Sequence, residues 1–217
     1  MNVASPPEQP GHDCPLCPRL VGFRQKNRAT FPEFHNAPVA SFGALDARLL
    51  IVGLAPGLKG ANRTGRPFTG DYAGDLLYAT LKQCGLATGT YERRADDDFT
   101  LIDCRVTNAV RCVPPENKPL PAEIKTCRRF LEAEIAGLKR LRAILALGRI
   151  AHDSVVAAAG GRASQCRFAH GAVHALPNGL RLVDSYHCSR YNTQTGVLTP
   201  AMFRHAVATA FGLMTQD

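Results

Sequence analysis

The sequence lacks the features that mark membrane and exported proteins. No apolar run approaches the roughly 20 residues that are needed to span a bilayer. The first thirteen residues, MNVASPPEQPGHD, contain neither the basic start nor the apolar stretch of a secretory signal. We therefore expect a soluble, intracellular protein.

The sequence also lacks two common phosphate-binding motifs, internal repeats and low-complexity segments. Neither the P-loop pattern GxxxxGKS/T nor the dinucleotide pattern GxGxxG occurs. The chain has 217 residues, of which 45% are hydrophobic, and this is enough for one α/β domain with a full core. We expect a single domain over residues 1–217.

Negative charge is scarce relative to positive charge. The formal net charge is +8 and the sequence pI is about 9.3. Such a balance favours a polyanionic partner, because each Lys or Arg that meets a phosphate releases a condensed counterion. Many small proteins are basic without a functional reason, so charge alone leaves the partner open.

The chain is organised around residues 48–77. The short apolar run 49–52 ends in Gly53 and predicts a strand that is buried on both faces. A loop rich in Gly and Pro follows, and its backbone can lie directly against a ligand. Asp71 closes the loop before a predicted helix over 72–83. Strand, loop and helix of this kind place a pocket beyond the carboxyl end of the strand.

Further patterns predict the rest of an open α/β sheet. A strand over 101–107 would deliver Asn108 to the same sheet edge, and the sequence PNG marks a hairpin. The other predictions are a short helix and a long covering loop in 18–47, helices over 121–140, 148–159 and 200–214, and strands over 142–147, 173–176 and 180–183.

Eight cysteines in a chain without an export signal are not expected to form disulfides. Cys14 and Cys17 form a CxxC motif, and Cys112 and Cys127 offer two more thiols, so the four could bind one metal centre. Four thiolates suit an iron-sulfur cluster or zinc, and buried apolar thiols are the simple alternative. Cys84, Cys104, Cys166 and Cys188 are not assigned to metal.

Polar residues concentrate in SYHCSRYNTQTG, residues 185–196. His187 lies among hydroxyl, amide and guanidinium donors on a predicted loop, which favours a functional site. The amide of Asn108 can read the edge of a pyrimidine, although an Asn at this point can also simply cap a turn.

Two motifs resemble those of the family 5 (B-type) uracil-DNA glycosylases, the iron-sulfur branch of the uracil-DNA glycosylase superfamily. GLAPG followed by GANRTGRPFTGDYAGD resembles the first motif, and SYHCSRYNTQTG resembles the last, SYHxSRxNTQTG. They lie over a hundred residues apart in the right order, with four suitable cysteines. The chain is identified as a member of this family, which implies a single-domain three-layer α/β/α sandwich with a mainly parallel central sheet.

The resemblance implies a monofunctional hydrolase that starts base excision repair. It would flip uracil, and other deaminated bases such as hypoxanthine, out of double-stranded or single-stranded DNA and hydrolyse the N-glycosidic bond to leave an abasic site. A monomer in the cytoplasm, at the bacterial nucleoid, is expected. A non-catalytic iron-sulfur DNA-binding or damage-sensing module remains the alternative.

The resemblance also implies roles for individual residues. It favours a structural 4Fe-4S cluster on Cys14, Cys17, Cys112 and Cys127 that ties down the N-terminal segment. Asp71 would stabilise the sugar cation or align water, and His187 would donate a hydrogen bond to the departing base. Asn117 would lie near the sugar. GLAPG carries no carboxylate, unlike related families, which makes Asp71 the acidic candidate; its alternative role is the N-cap of the helix.

The remaining predicted site residues fall into two groups. The substrate-binding residues are Gly53, Leu54, Ala55, Gly57, Phe68 and Asn108. Phe68 would stack on the base, although core packing is the ordinary alternative. The residues predicted to contact DNA are Asn62, Arg63, Lys118, Ser189 and Arg190.

Overall fold

The computed structural model describes residues 7–215, which form a central six-stranded sheet between two layers of helices. The strands are β1 (Phe42–Gly43), β2 (Leu49–Gly53), β3 (Ala87–Thr88), β4 (Thr100–Leu101), β5 (Cys104–Asn108), β6 (Ala143–Leu147), β7 (Val173–Ala175) and β8 (Arg181–Ser185). The sheet order is β1-β5-β2-β6-β8-β7, while β3 and β4 form a separate small hairpin.

Seven α-helices are found within residues 7–215. They are α1 (Pro18–Thr30), α2 (Ala61–Thr64), α3 (Tyr72–Gln83), α4 (Pro121–Gly137), α5 (Arg149–Ala158), α6 (Arg190–Gln194) and α7 (Pro200–Thr215). A 3-10 turn covers Pro115–Asn117. None of the helices in this part of the chain is both long and apolar enough to cross a membrane.

The four central strands are parallel, and antiparallel β1 and β7 lie at the two edges. Along β2, Leu49 and Ile51 pack with α3 and α7 on one face. Leu50 and Val52 pack with α4 and α5 on the other. This alternation confirms the three-layer α/β/α architecture, because β2 is fully buried and needs a helical layer on each side.

Most predicted elements are confirmed, with one informative difference. The strand predicted over 101–107 is divided into β4 and β5. Asp103 interrupts it with a φ of 52°, and its carboxylate accepts hydrogen bonds from Arg48. Asn108 still ends β5, as predicted, at the edge where β2 also ends. Helix α4 ends at Gly137, three residues earlier than the prediction.

A buried ionic network fastens the N-terminal segment to the domain. Glu134 in α4 is fully buried and contacts both Arg105 and Arg111. Gln9 donates to Glu134 Oε2 at 2.7 Å and accepts from Arg111 at 3.0 Å. Burial alone would raise the pKa of Glu134, but the two guanidinium groups outweigh it and lower the pKa to about 2.

Candidate active site

The two sequence motifs meet in one cleft at the carboxyl ends of the parallel strands. The cleft has a volume of about 640 Å³ and is lined by Asp71 and His187. Six further predicted site residues line it, namely Leu54, Ala55, Gly57, Asn117, Ser189 and Arg190. A recess of about 40 Å³ adjoins the cleft, and it adds Phe68 and Asn108. The fold thus brings most of the predicted catalytic and substrate-binding residues to one place.

Asp71 is both the N-cap of α3 and a wall of the cleft. Its Oδ1 accepts a hydrogen bond from the Gly74 N–H at 3.1 Å. Its Oδ2 is turned toward the glycine loop, where a Cβ on Gly57 would lie 3.2 Å away and one on Gly60 would collide with it. Burial raises the pKa of Asp71, and the Gly74 N–H partly offsets this. The capping oxygen and the oxygen facing the loop are therefore different atoms of one carboxylate.

Phe68 is buried, with 6% of its surface exposed, and its backbone is strained. Its φ of 52° lies in the left-handed region, which costs a residue with a Cβ about 1–2 kcal/mol. The ring packs with the core and also faces the recess. Strain of this kind is maintained only where the surroundings enforce it, and it is common at functional sites.

Asn108 lies beside Phe68 above the end of β2. It is 3% exposed and borders the recess, and within residues 7–215 its amide has no hydrogen-bond partner. Gly53 makes this arrangement possible, since a Cβ there would overlap the Phe68 ring and lie 2.5 Å from Asn108 Oδ1. The absence of a side chain at Gly53 therefore leaves space for Phe68 and Asn108, while Gly53 itself does not line the recess.

His187 also lines the recess. Its ring centroid lies 6.0 Å from that of Phe68, at an interplanar angle of 24°. Removal of the ring from water lowers the pKa of His187 to about 4, so the imidazole is neutral at pH 7. Among the described residues none bonds to its ring nitrogens, while Asn192 anchors its backbone carbonyl at 2.8 Å. A neutral imidazole retains one N–H that can donate to a ligand.

Asn117 reaches the cleft from the 3-10 turn after β5. Glu116 and Asn117 have φ values of 54° and 56°, so the turn presents Asn117 through two consecutive left-handed residues. Both are exposed, as is Lys118, whose ammonium lies 3.4 Å from Glu116. The turn therefore provides an amide and a cation at the rim of the cleft.

Of the five residues predicted to contact DNA, four are accessible, including the exposed Lys118, and one is not. Arg63 and Arg190 are exposed, and Ser189 borders the cleft while its hydroxyl caps α6. Asn62 is only 1% exposed, and its amide donates to Asn36 at 2.9 Å. The predicted DNA contact of Asn62 is wrong for this conformation, because the side chain supports the loop from inside.

Three residues of the cleft wall were not among the predicted site residues, namely Gly70, Tyr72 and Ala73. Tyr72 and Ala73 line it from the first turn of α3. The guanidinium of Arg190 lies 5.6 Å from the centroid of the Tyr72 ring. Their position directly after Asp71 in the first motif was the available signal.

The four predicted metal-binding cysteines surround one small cavity between α1, α4 and the segment after β5. Arg111 donates its backbone N–H to Cys127 Sγ at 3.3 Å, and a guanidinium nitrogen of Arg24 lies 3.9 Å from Cys112 Sγ. Arg24 is only 3% exposed, so its side chain lies inside the protein beside these cysteines. Donors directed at sulfur suit thiolate ligands, and this donor set fits an all-cysteine centre.

The spacing of these sulfurs can be compared with what a zinc site and an iron-sulfur cluster each need. No three of the four sulfurs lie within 4.8 Å of one another. A tetrahedral zinc site with bonds near 2.3 Å needs sulfurs about 3.8 Å apart. The wider arrangement suits ligands that each bind a different iron of one cluster.

A second group of possible metal ligands lies between α5, β7 and β8. His152, His174 and Asp184 place three ligand atoms within 4.8 Å of one another. Both ring nitrogens of His152 are engaged, at 2.7 Å from Asp184 and 2.8 Å from the carbonyl of Cys166. Burial would lower the pKa of His152, but the hydrogen bond to Asp184 outweighs it and raises the pKa. We interpret the group as a buried ion pair.

Known proteins resemble this chain over most of its length. The model of the Uracil DNA glycosylase superfamily matches residues 40–210. A type-5 uracil-DNA glycosylase of Thermus thermophilus is 49% identical over 195 residues, which cover 88% of this chain and 89% of the relative. One of Mycobacterium leprae is 45% identical over 197 residues, which cover 87% and 86%. The chain therefore belongs to the uracil-DNA glycosylase superfamily and, within it, to the type-5 family.

Proposed function

We propose that this protein is a monofunctional DNA glycosylase that removes uracil from DNA and thereby starts base excision repair. Water would add to the sugar carbon C1′ while the bond from C1′ to the base nitrogen breaks, leaving an abasic site and a protonated base. The observation that carries the proposal is the convergence of Phe68, Asn108, Asp71 and His187 on one recess at the carboxyl edge of the sheet.

The recess and the adjoining cleft fit a base that has left the helical stack. Unstacking costs a few kcal/mol, and contacts with the extruded base must offset this cost. The Phe68 ring offers a stacking surface, and the amide of Asn108 offers donors and an acceptor for the edge of a pyrimidine. Backbone at Leu54, Ala55 and Gly57 closes the wall of the cleft beside them.

Two charges develop as the bond breaks, and the site has a group for each. Asp71, which lines the cleft, would stabilise positive charge on the sugar and would orient or deprotonate water, and Asn117 would assist from the rim. Negative charge on the departing base would be stabilised by the N–H of neutral His187, which lines the recess. A raised pKa makes Asp71 a better base than a carboxylate in water.

Exposed cations around the cleft suit the DNA backbone. Arg63, Lys118 and Arg190 can meet phosphates, and the hydroxyl of Ser189 can add a hydrogen bond. The same groups serve duplex or single-stranded DNA. We place the monomeric enzyme in the cytoplasm, at the bacterial nucleoid, where this substrate is found.

Cys14, Cys17, Cys112 and Cys127 would hold a 4Fe-4S cluster, whose role here is structural because base hydrolysis transfers no electrons. The cavity they share joins α1 to the segment that leads into the Asn117 turn. A cluster there would tie the N-terminal segment to the rim of the cleft, in addition to the Glu134 network.

One assay tests the enzymatic proposal against a binding-only module. The purified holoprotein is incubated with a duplex that carries one uracil, and abasic sites are measured by alkaline cleavage. Formation of abasic sites that depends on Asp71 supports the proposal. Tight binding without abasic sites would show a non-catalytic module. Parallel duplexes with hypoxanthine measure how broad the specificity is.

A further inference from the structure

Tyr91 lies outside both motifs, yet its hydroxyl bridges the turn that carries Phe68 and leads into Asp71. The Gly70 N–H donates to Tyr91 Oη at 3.1 Å, and Tyr91 Oη donates to the carbonyl oxygen of Phe68 at 3.2 Å. The Tyr91 hydroxyl therefore accepts a hydrogen bond from one end of the turn 68–70 and donates a hydrogen bond to the other end. No other side chain within residues 7–215 bonds to both of these backbone groups.

The turn has little freedom to move away from this position. A Cβ on Gly74 in α3 would collide with the Phe68 carbonyl and lie 2.8 Å from Tyr91 Oη. The carbonyl of Phe68, the hydroxyl and the first turn of α3 are thus in close contact. Gly74 also donates its backbone N–H to Asp71 Oδ1, so this group of contacts includes the proposed catalytic carboxylate.

The ring of Tyr91 is itself held in a rigid setting. It packs against Tyr78, with centroids 4.8 Å apart, and Phe99, with centroids 5.9 Å apart. The guanidinium of Arg66 lies 5.8 Å from its ring centroid and pairs with Asp97, and both charged side chains are almost fully buried. Asp97 also accepts from the backbone N–H of Glu92 at 2.9 Å, which fixes the chain directly after Tyr91.

We propose that Tyr91 is a positioning residue, whose hydroxyl holds the strained Phe68 ring and the Asp71 carboxylate in the geometry needed for base excision. The inference rests on the proposed function. Tyr91 touches neither the recess nor the cleft, so it acts through the turn alone. A misplacement of this turn would lower the rate of bond cleavage, because catalysis depends on alignment of the reacting groups.

Tyr91→Phe tests this inference, since it removes only the hydroxyl and leaves the packed ring. The single-turnover rate on uracil in duplex DNA should fall about tenfold, which corresponds to the loss of one to two ordinary hydrogen bonds in the transition state. Affinity for a duplex with a non-hydrolysable uracil nucleotide should change less than threefold. Thr80→Val is the matched control, because it removes a buried hydroxyl that bonds to the Leu76 carbonyl in α3, away from the turn.

A double-mutant cycle separates positioning from general destabilisation. If the hydroxyl acts by placing Phe68 and Asp71, Tyr91→Phe should slow the Phe68→Ala protein or the Asp71→Asn protein by much less than it slows the wild type. Equal slowing in all three backgrounds, or a wild-type rate in Tyr91→Phe, would overturn the inference. Slowing by Thr80→Val to the same extent would also overturn it. A wild-type protein that makes no abasic sites would instead refute the proposed function.

Discussion

The rings of Phe68 and His187 both border the recess, with centroids 6.0 Å apart and planes 24° from parallel. One ring comes from the first motif and the other from the last, so the tertiary fold creates the pair.

If His187 donates to the departing base, His187→Ala should slow excision of uracil by about a hundredfold, in the range typical of lost acid-base or electrostatic groups. Excision of 5-fluorouracil, whose fluorine stabilises the departing anion, should slow much less. Equal losses on both bases would contradict the assignment.

The pH dependence of the reaction gives a second test of His187. Its pKa is lowered to about 4, so the side chain stays neutral from pH 6 to 8. The single-turnover rate should therefore not fall as the pH rises through 6.5. A fall in that range, absent from His187→Ala, would show that a protonated imidazole is required.

Asp71→Asn separates charge from helix capping. Asn is as good an N-cap as Asp, so the hydrogen bond with Gly74 and the stability of α3 should be retained. The rate should fall on the order of a hundredfold or more with DNA affinity kept, because the anion is lost. Asp75→Asn is the control, since Asp75 lies in the same helical turn and pairs with Arg93 at the surface. A wild-type rate in Asp71→Asn would move the catalytic role to Asn117 or to unassisted water.

The cysteine site can be tested on anaerobically purified protein. We expect brown protein with about four iron and four sulfide per chain, and Cys112→Ala should lose the colour and lower the melting temperature. Cys84→Ala is the control, because this cysteine lies at the end of α3 and away from the four-cysteine cavity. Colourless protein with one zinc per chain would refute the iron assignment.

Salt dependence tests the proposed DNA face. Affinity for duplex should fall steeply with salt, and Arg190→Ala should reduce the slope of log K against log salt by about one if it meets one phosphate. Arg140→Ala is the control, because this exposed residue pairs with Asp46 near the amino ends of the strands, away from the cleft. A loss confined to damaged DNA would place Arg190 in the gap left by the flipped base.

Glu134→Gln should destabilise the fold by about 3–5 kcal/mol, because it leaves Arg105 and Arg111 buried without a counter-ion. The pKa of Glu134 is about 2 in the folded protein, below its ordinary value of 4.5. Its contribution is thus fully present above pH 4.5 and is lost as the pH falls toward 2. Urea unfolding should show that the free energies of unfolding of variant and wild type differ less at pH 3 than at pH 7.

Local patterns were sufficient to predict most elements of the fold. Helix α3 begins and ends where its pattern predicts, and the hairpin around PNG forms between β7 and β8. The interruption at Asp103 was not predicted, because it depends on Arg48, a partner 55 residues away in the chain. The cap at Asp71 is a local feature and was predicted as one of two roles.

The sequence by itself determined the family, the order of the layers and the residue types at the site, since these depend on motifs and on short-range periodicity. Only the tertiary structure decided which side chains are buried and how their polar atoms are oriented. It placed Asn62 and Arg24 inside the protein, turned Asp71 Oδ2 toward the glycine loop, and brought Tyr91 onto the Phe68 turn. Such burial and orientation follow from contacts between segments distant in the chain, and no local pattern records them.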